Sequence, residues 1–395
     1  MSSNDNNHPS YLYLGLAGET GRGREVHSGL FRLADDSNEW EAIERGLPEM
    51  PAVRALAVHP LDAKTIYAGT QSGVYRSADR GEHWERVDMP DHGLPVWSIL
   101  FHPHDPDVIL VGCENCEIYR SDDAGERWTR LPVSVRFPEI TTAPGSNPAK
   151  RVLMLDASAT EPDHLYGAIE VGGTIRSTDG GEHWENLSHG QYLNDDAVDM
   201  HGVLVSRWRP GMVFGIGRAG MFHSTDGGDH WRHVPLGPLN AKGQIYCRDI
   251  REVPGNPRHL WVAAGGAFRA KPACSCAAAT AATAGPGPRW ACSHRTRCSR
   301  LRSTSAGRPG CRAPRMAARS IPASTAATAG PRTRLRRAVR RFTRWRAVEC
   351  CLHRGIAPPS SKEIRDNRAR QAAAGHDGQA ISAEREELGG SWDRI

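Results

Sequence analysis

Four copies of one octapeptide decide the fold: S-A-D-R-G-E-H-W at Ser77–Trp84, S-D-D-A-G-E-R-W at Ser121–Trp128, S-T-D-G-G-E-H-W at Ser177–Trp184 and S-T-D-G-G-D-H-W at Ser224–Trp231. A worn copy, L-A-D-D-S-N-E-W, ends at Trp40, so successive tryptophans are 44, 44, 56 and 47 residues apart. A period of this size, carried by a fixed motif, marks a repeat architecture. Working outward from Ser77–Trp84, the surrounding unit contains four short runs: V-R-A-L-A-V, T-I-Y-A-G-T, G-V-Y-R-S and H-W-E-R-V. Their β-branched and aromatic residues read as strands, and the His-Pro-Leu-Asp (59–62) and Gln-Ser-Gly (71–73) stretches between them read as turns. The spacing therefore predicts an all-β chain of four-stranded sheets.

The octapeptide sits where the third strand of a unit hands over to the fourth, so it predicts a hairpin turn. An aspartate there accepts backbone N–H groups. The glycine supplies a positive φ, and the tryptophan packs a large apolar face between neighbouring sheets. Ser77, Asp79, Gly81 and Trp84 carry this role in the first intact copy. Ser121, Asp123, Gly125 and Trp128 carry it in the second, Ser177, Asp179, Gly181 and Trp184 in the third, and Ser224, Asp226, Gly228 and Trp231 in the fourth. All are expected to be structural rather than catalytic.

The motif resembles the Asp-box, or BNR repeat, of sialidase-like β-propellers. Similar repeats occur in sortilin-type receptors, xyloglucanase-type glycoside hydrolases and photosystem II assembly factors. The resemblance covers Tyr11 to about Phe268 and implies a β-propeller with four-stranded Asp-box blades, five of them intact. It also implies that the turns joining first to second and third to fourth strands share one face. The inter-blade connections and second-to-third turns occupy the other, where family sites lie near the central axis.

That geometry directs attention to the two longest connectors, 132–151 and 187–201, and to the second-to-third turns. The richest stretch is N-D-D-A-V-D-M-H-G (194–202). Its Asp195, Asp196, Asp199 and His201 are candidates for cation binding or acid–base work, the competing reading being a solvated acidic loop. Asp199 and His201 alternate as strand residues do, so both side chains face one side. One such pair falls short of the three or four ligands a metal site needs, so no metal and no cofactor is expected. The turn E-T-G-R-G-R-E-V-H (19–27) places Arg24, Glu25 and His27 as ligand-binding candidates, and Glu114, Glu170 and Arg218 fall in second-to-third turns. A glycoside hydrolase needs two carboxylates roughly 5–10 Å apart; the acids are present, but their pairing is not readable from sequence. No F/Y-R-I-P motif precedes the repeats, which argues against sialidase activity. Cys113-x-x-Cys116 has no second pair nearby and reads as two ordinary thiols.

Composition divides the chain sharply. Residues 1–270 hold 25 Lys and Arg against 37 Asp and Glu; residues 271–348 hold 18 basic residues and no acidic one; residues 349–395 hold 7 and 8. The acid-free stretch is rich in Ala, Arg, Pro, Ser, Thr and Cys, the composition of GC-rich coding sequence read out of frame. The hexapeptide T-A-A-T-A-G occurs at Thr280–Gly285 and again at Thr325–Gly330. Decoded in the other frame, each permits an octapeptide of the repeat type, with tryptophans at positions 285 and 330. Two hidden units would bring the parent to seven blades. The expected organisation is a disordered 1–10, repeats over 11–269 including the start of a sixth unit, a largely disordered basic tail over 270–348, and a C-terminal segment over 349–395. The competing reading of the tail is a basic arm around Arg336, Arg337, Arg340, Arg341 and Arg344 that binds phosphate by counterion release. No specific nucleic-acid partner is expected.

No run approaches the roughly 20 apolar residues of a spanning helix, so no membrane partner is expected. The polar N-terminus lacks a signal-peptide pattern, which leads to the expectation of a cytoplasmic protein. Three functions remain: a non-catalytic binding scaffold with a carbohydrate or protein ligand on the axial face, a BNR-type glycoside hydrolase, and an assembly factor.

Overall fold

In the computed structural model the described residues are 10–17, 28–91, 93–135, 150–194, 196–234, 236, 245–253, 256–265, 275–282 and 289–294. They form six antiparallel sheets arranged in chain order. The first has three strands: β1 (Tyr11–Leu16), β2 (Gly29–Ala34) and β3 (Glu41–Ala42). The second is β4 (Ala55–Val58), β5 (Ile66–Thr70), β6 (Gly73–Ser77) and β7 (Glu85–Arg86). The third is β8 (Val96–Phe101), β9 (Ile109–Cys113), β10 (Ile118–Ser121) and β11 (Thr129–Arg130). The fourth is β12 (Val152–Ala157), β13 (Leu165–Ile169), β14 (Gly173–Ser177) and β15 (Glu185–Asn186), followed by the one-turn helix α1 (Ser188–Gln191). The fifth is β16 (Met200–Val205), β17 (Val213–Gly217), β18 (Gly220–Ser224) and β19 (Arg232–Val234). The sixth is β20 (Tyr246–Val253), β21 (Asn256–Gly265), β22 (Ser275–Ala282) and β23 (Arg289–His294).

The core lies between sheets rather than inside any one of them. Leu30 and Ile43 of the first sheet meet Leu56, Ile66 and Trp84 of the second. Comparable clusters fill each later junction, ending with Phe214 and Ile216 against Ile250 and Val262. The second to fifth sheets are thus sandwiched, and the second strand of each is covered on both faces. β5, β9, β13 and β17 are buried at every residue. This explains why I-Y-A-G-T, I-L-V-G-C, L-Y-G-A-I and V-F-G-I-G are continuous apolar runs rather than alternating ones.

Each octapeptide forms the expected hairpin turn, with one contribution the sequence did not disclose. Asp79 Oδ1 accepts the His83 N–H at 2.9 Å, as anticipated. The buried Ser77 Oγ, however, is a second hub: it accepts the Gly81 N–H at 2.8 Å and donates to Asp79 Oδ1 at 2.8 Å. The same triangle recurs at Ser121, Ser177 and Ser224. Gly81 stands at φ 93°, which a side chain adopts only with strain, and a Cβ there would also strike Ile43. Trp84 inserts between the first two sheets and donates its indole N–H to the Ile43 carbonyl at 2.9 Å.

A backbone bond recurs from each turn to the loop between first and second strands: Arg80 N to Lys64 O, Ala124 N to Asp107 O, Gly180 N to Asp163 O and Gly227 N to Gly211 O. The opposite ends are tied to the inter-sheet connectors, as by Gly173 N to Val198 O. The two-faced arrangement follows directly.

Two expectations meet a qualification. Of the five units expected to be complete, the first shows three strands among the described residues, and its β1 and β2 correspond to the second and third strands of later sheets. Within the 270–348 stretch expected to be largely disordered, residues 275–282 and 289–294 are strands that complete the sixth sheet. In the decoded reading the third strand of that unit ends at Ala278, as intact units end at the octapeptide serine; in the structure it runs on to Ala282. Backbone pairing with β21 extends it to Thr280 and pairing with β23 to Ala282, because strand pairing needs main-chain groups and not the motif. The other residues of 1–10 and 270–395 lie outside the described residues.

Candidate functional site

On the face opposite the octapeptides, one feature of the first strands repeats. Register with the second strand skips a residue between Val96 and Ser98, between Val152 and Met154, between Met200 and Gly202, and between Cys247 and Asp249. The bulged residues are Trp97, Leu153, His201 and Arg248. Arg54 occupies the matching place before Ala55, its N–H donating to the Gly69 carbonyl at 2.9 Å. A bulge bends the strand and re-aims the side chain it carries. Five successive sheets therefore carry Arg54, Trp97, Leu153, His201 and Arg248 at matching positions of their first strands.

These residues meet the turn residues singled out from sequence. The guanidinium carbons of Arg54 and Arg151 lie 4.7 and 4.8 Å from the Trp97 ring. Arg151 then bridges two acids, donating its Nε to Glu114 Oε1 at 3.2 Å and its Nη1 to Glu170 Oε2 at 2.8 Å. Glu114 opens the short 3-10 turn between β9 and β10, and Glu170 lies in the β13–β14 turn. Burial pushes the Glu170 carboxyl up; Arg151 pulls it back down, and Asp199 adds to the rise. Burial lowers Arg54, with Glu114 opposing and Arg151 reinforcing the change.

The Asp199–His201 pair is brought together, and neither residue is solvated: they are 6% and 4% exposed. The reading of 194–202 as a solvated acidic loop fails at this end. His201 Nδ1 lies 2.6 Å from the Cys247 carbonyl and donates to it. Its Nε2 faces Asp199 Oδ1 at 3.5 Å, and among the described residues neither atom has a hydrogen-bond partner. Tyr246 stacks on the His201 ring at 4.4 Å, and Arg248 covers Tyr246 at 4.4 Å. Burial raises the Tyr246 hydroxyl to about 12. Arg218, in the β17–β18 turn, reaches Asp196 Oδ1 at 3.1 Å and Asp199 Oδ2 at 3.8 Å.

The connector that delivers Asp196 and Asp199 is pinned by α1. Buried Gln191 accepts the Thr174 N–H at 3.1 Å and donates to Thr174 Oγ1 at 2.9 Å. Tyr192 and Leu193, next in the chain, are 44% and 61% exposed.

Glu114, Glu170, Asp196, Asp199, His201 and Arg218 thus converge. Asp195, Arg24, Glu25 and His27 lie outside the described residues, as does most of the 132–151 connector. Sequence reasoning missed Arg54, Trp97, Arg151, Tyr246 and Arg248. A signal was present, since the bulged residue follows the apolar residue that opens each first strand: Val53-Arg54, Val96-Trp97, Met200-His201, Cys247-Arg248.

A second cluster, on the octapeptide face, is Asp179, Glu182 and His183, whose ligand atoms lie within 4.8 Å of one another. Asp179 already receives the Ser177 hydroxyl, the His183 N–H and the His183 ring, so the turn itself accounts for the cluster. Cys113 and Cys116 are free and buried, and burial raises both thiols to about 12, the range of inert thiols rather than metal ligands.

The model of the Sortilin-Vps10 family (sortilin, neurotensin receptor 3) matches residues 28–167, about a third of the chain. Two solved structures are similar over most of the described part. An ancestral GH74 enzyme covers 67% of this chain at 16% identity and a TM-score of 0.51. The GH74 xyloglucanase from Xanthomonas campestris covers 72% at 19% identity and 0.50. The fold is a β-propeller. At this identity the likeness is one of fold, and function resides in the site. The propeller chain spans only 35% and 43% of those two enzymes. No curated protein matches it.

Proposed function

We propose that this propeller is a non-catalytic binding scaffold of the Asp-box type whose axial face takes a carbohydrate or protein ligand. The observation that carries the reading is the repeated bulge, which sets Trp97, His201 and Arg248 at matching positions of their first strands. There they stand among aromatic faces and guanidinium groups suited to stacking and bidentate hydrogen bonding. The nearby acids are engaged: Arg151 holds Glu114 and Glu170, and Arg218 holds Asp196 and approaches Asp199. Buried Asp199 Oδ1 and His201 Nε2 keep hydrogen-bonding capacity for a ligand group. Exposed Tyr192 and Leu193 add apolar surface on the connector.

The test is calorimetric titration of the full chain with a panel of soluble polysaccharides and peptides. Trp97→Ala and Arg248→Ala should each weaken binding by about tenfold or more while leaving the circular dichroism spectrum unchanged. The second reading is a glycoside hydrolase, favoured by the raised Glu170 carboxyl beside Asp199. Release of reducing ends that disappears in Glu170→Gln and Asp199→Asn would establish it in place of the scaffold.

The reading extends to the tail: the parent propeller had seven blades, and an insertion or deletion near 264–275 put the last two out of frame. Resequencing codons 255–350 tests this. A single restored base must yield two octapeptides, at 278–285 and 323–330, for the idea to stand.

A further inference from the structure

Asp199 and His201 meet as two acceptors. A carbonyl can only accept, so the Cys247 carbonyl fixes the N–H of neutral His201 on Nδ1 and leaves a lone pair on Nε2. That lone pair faces Asp199 Oδ1 at 3.5 Å. Both atoms are closed off from solvent, and among the described residues neither has a hydrogen-bond partner. Two buried acceptors left in this way cost free energy, and one proton between them makes a charge-assisted hydrogen bond instead.

The neighbours show what that proton would move. The two oxygens of Asp199 face different elements: Oδ1 faces the His201 ring on β16, and Oδ2 lies 3.8 Å from Arg218 in the β17–β18 turn. The Asp199 carbonyl receives the Arg218 N–H at 3.4 Å, a long bond. The Val198 carbonyl accepts the Gly172 and Gly173 N–H groups at 3.1 and 2.9 Å, so the backbone is anchored one residue before Asp199. The charged and titratable groups around the ring come from four elements. The connector brings Asp199, with Asp196 beyond it on Arg218. The β13–β14 turn brings Glu170, whose carboxyl senses both Asp199 and His201 and is held by Arg151. The β17–β18 turn brings Arg218. β20 brings Tyr246, stacked on the ring at 4.4 Å with Arg248 over it, while Asp249 further along is taken by Arg251 at 3.0 Å. Asp199, Glu170 and the Tyr246 face attract a cation at the ring; Arg218 and Arg248 oppose it.

We propose that the Asp199–His201 pair is a proton-operated latch on the connector that delivers Asp196 and Asp199 to the axial face. Neutral His201 leaves the Asp199 carboxylate to Arg218. A proton taken from solvent onto Nε2 is donated to Asp199 Oδ1, which shortens the 3.5 Å separation to hydrogen-bond length. The carboxylate and its end of the connector are drawn toward β16, and Arg218 is left with Asp196. The arrangement of acid and guanidinium on the axial face therefore changes with pH. Any effect on ligand binding rests on the function proposed above; the latch itself needs no ligand, and its test uses none.

Nitrogen-15 NMR of the full chain tests the proposal. Labelled histidine reads the proton on His201 Nε2, and the backbone amides of Ala197, Val198 and Met200 read the connector. Over about pH 8 to 5, where histidines change charge, the amide shifts should follow Nε2 with one shared midpoint. Asp199→Ala should remove most of the amide shift, and Glu170→Gln should keep it. The titration of the unaltered chain decides the matter even if a variant does not fold. An Nε2 that stays without a proton over the whole range overturns the proposal, and so do connector amides that titrate with a different midpoint. An amide shift that survives Asp199→Ala, or is lost in Glu170→Gln alone, overturns it too. So does zinc chloride shifting Nε2 in place of the proton at pH 8, which would make the pair a metal site.

Discussion

Arg176 on β14 donates its Nη1 to the carbonyl of Gly227 at 2.8 Å, fastening one sheet to the octapeptide turn of the next. The same guanidinium also pairs with Asp229 at 2.7 Å and with Glu185. The device repeats, because an arginine precedes the octapeptide serine in several units. Arg32 reaches the Arg80 carbonyl and Glu82, Arg120 reaches the Gly180 carbonyl at 2.9 Å, and Arg76 pairs with Glu126 at 3.3 Å. The Arg176 side chain is 14% exposed and that of Arg76 is 39%. Arg176→Met should therefore cost about 1–3 kcal/mol, the worth of a charged hydrogen bond shielded from water. Arg76→Met should cost under about 0.5 kcal/mol, as exposed pairs do. Urea unfolding of the two variants checks this; equal losses would mean that the staple does not bind the sheets.

The turn serines should matter as much as the aspartates. Ser177 is 1% exposed and bonds both Gly181 N and Asp179 Oδ1. Ser177→Ala leaves a buried amide without its acceptor, at a cost of about 1–3 kcal/mol. Ser37→Ala, in the worn copy, removes a half-buried hydroxyl whose bond to the Glu39 N–H is solvent-exposed, and should cost well under that in the same unfolding measurement.

Acid should unfold the propeller through its octapeptides. Arg127 beside Asp123 holds its carboxyl down at about 2. The His183 N–H lowers Asp179, and the Ser224 hydroxyl lowers Asp226. At Asp79 burial pushes upward, but the His83 amide and ring and the Ser77 hydroxyl win and the net change is downward. A carboxylate whose folded pKa is depressed stabilises the fold above its ordinary pKa, near 4, and loses that contribution as pH falls through the folded value. The urea midpoint should hold from pH 7 to about 4.5 and drop between about 4 and 2. Asp123→Asn should make that drop shallower. A flat profile over that range would contradict the assignment.

Cys113 and Cys116 should resist a thiol reagent in the native protein. Burial raises both thiols to about 12, so almost no thiolate is present at pH 8. Labelling, followed by mass spectrometry of their shared peptide, should appear only on adding denaturant. Rapid native labelling would place these residues at an opened or mobile turn.

Local motifs were legible because their chemistry is local. Ser77 to Trp84 closes its own turn, so the octapeptide could be read as a hairpin and its spacing as a chain of sheets. The assignment of second-to-third turns to one face came with the propeller resemblance, whereas the pairing of Glu114 and Glu170 through Arg151 was not legible. Arg54, Trp97 and Arg151 were not legible in this way. A bulge is a mismatch between two strands, and a single strand's sequence does not announce it. That the first sheet shows three strands among the described residues escaped for the same reason: Y-L-Y-L-G-L looks like any other strand until its partners are counted.

Sequence alone determined the repeat, the turn chemistry, the apolar second strands and the sharp change in composition at residue 271, since each depends on neighbours within one unit. Tertiary structure decided which acids share Arg151, which residue Arg176 grips 51 positions away, and which strand register Arg54, Trp97 and His201 break or border. Those outcomes depend on how one sheet is rotated against the next. That rotation is set by side-chain packing at the sheet junctions, a sum over many residues far apart in the chain.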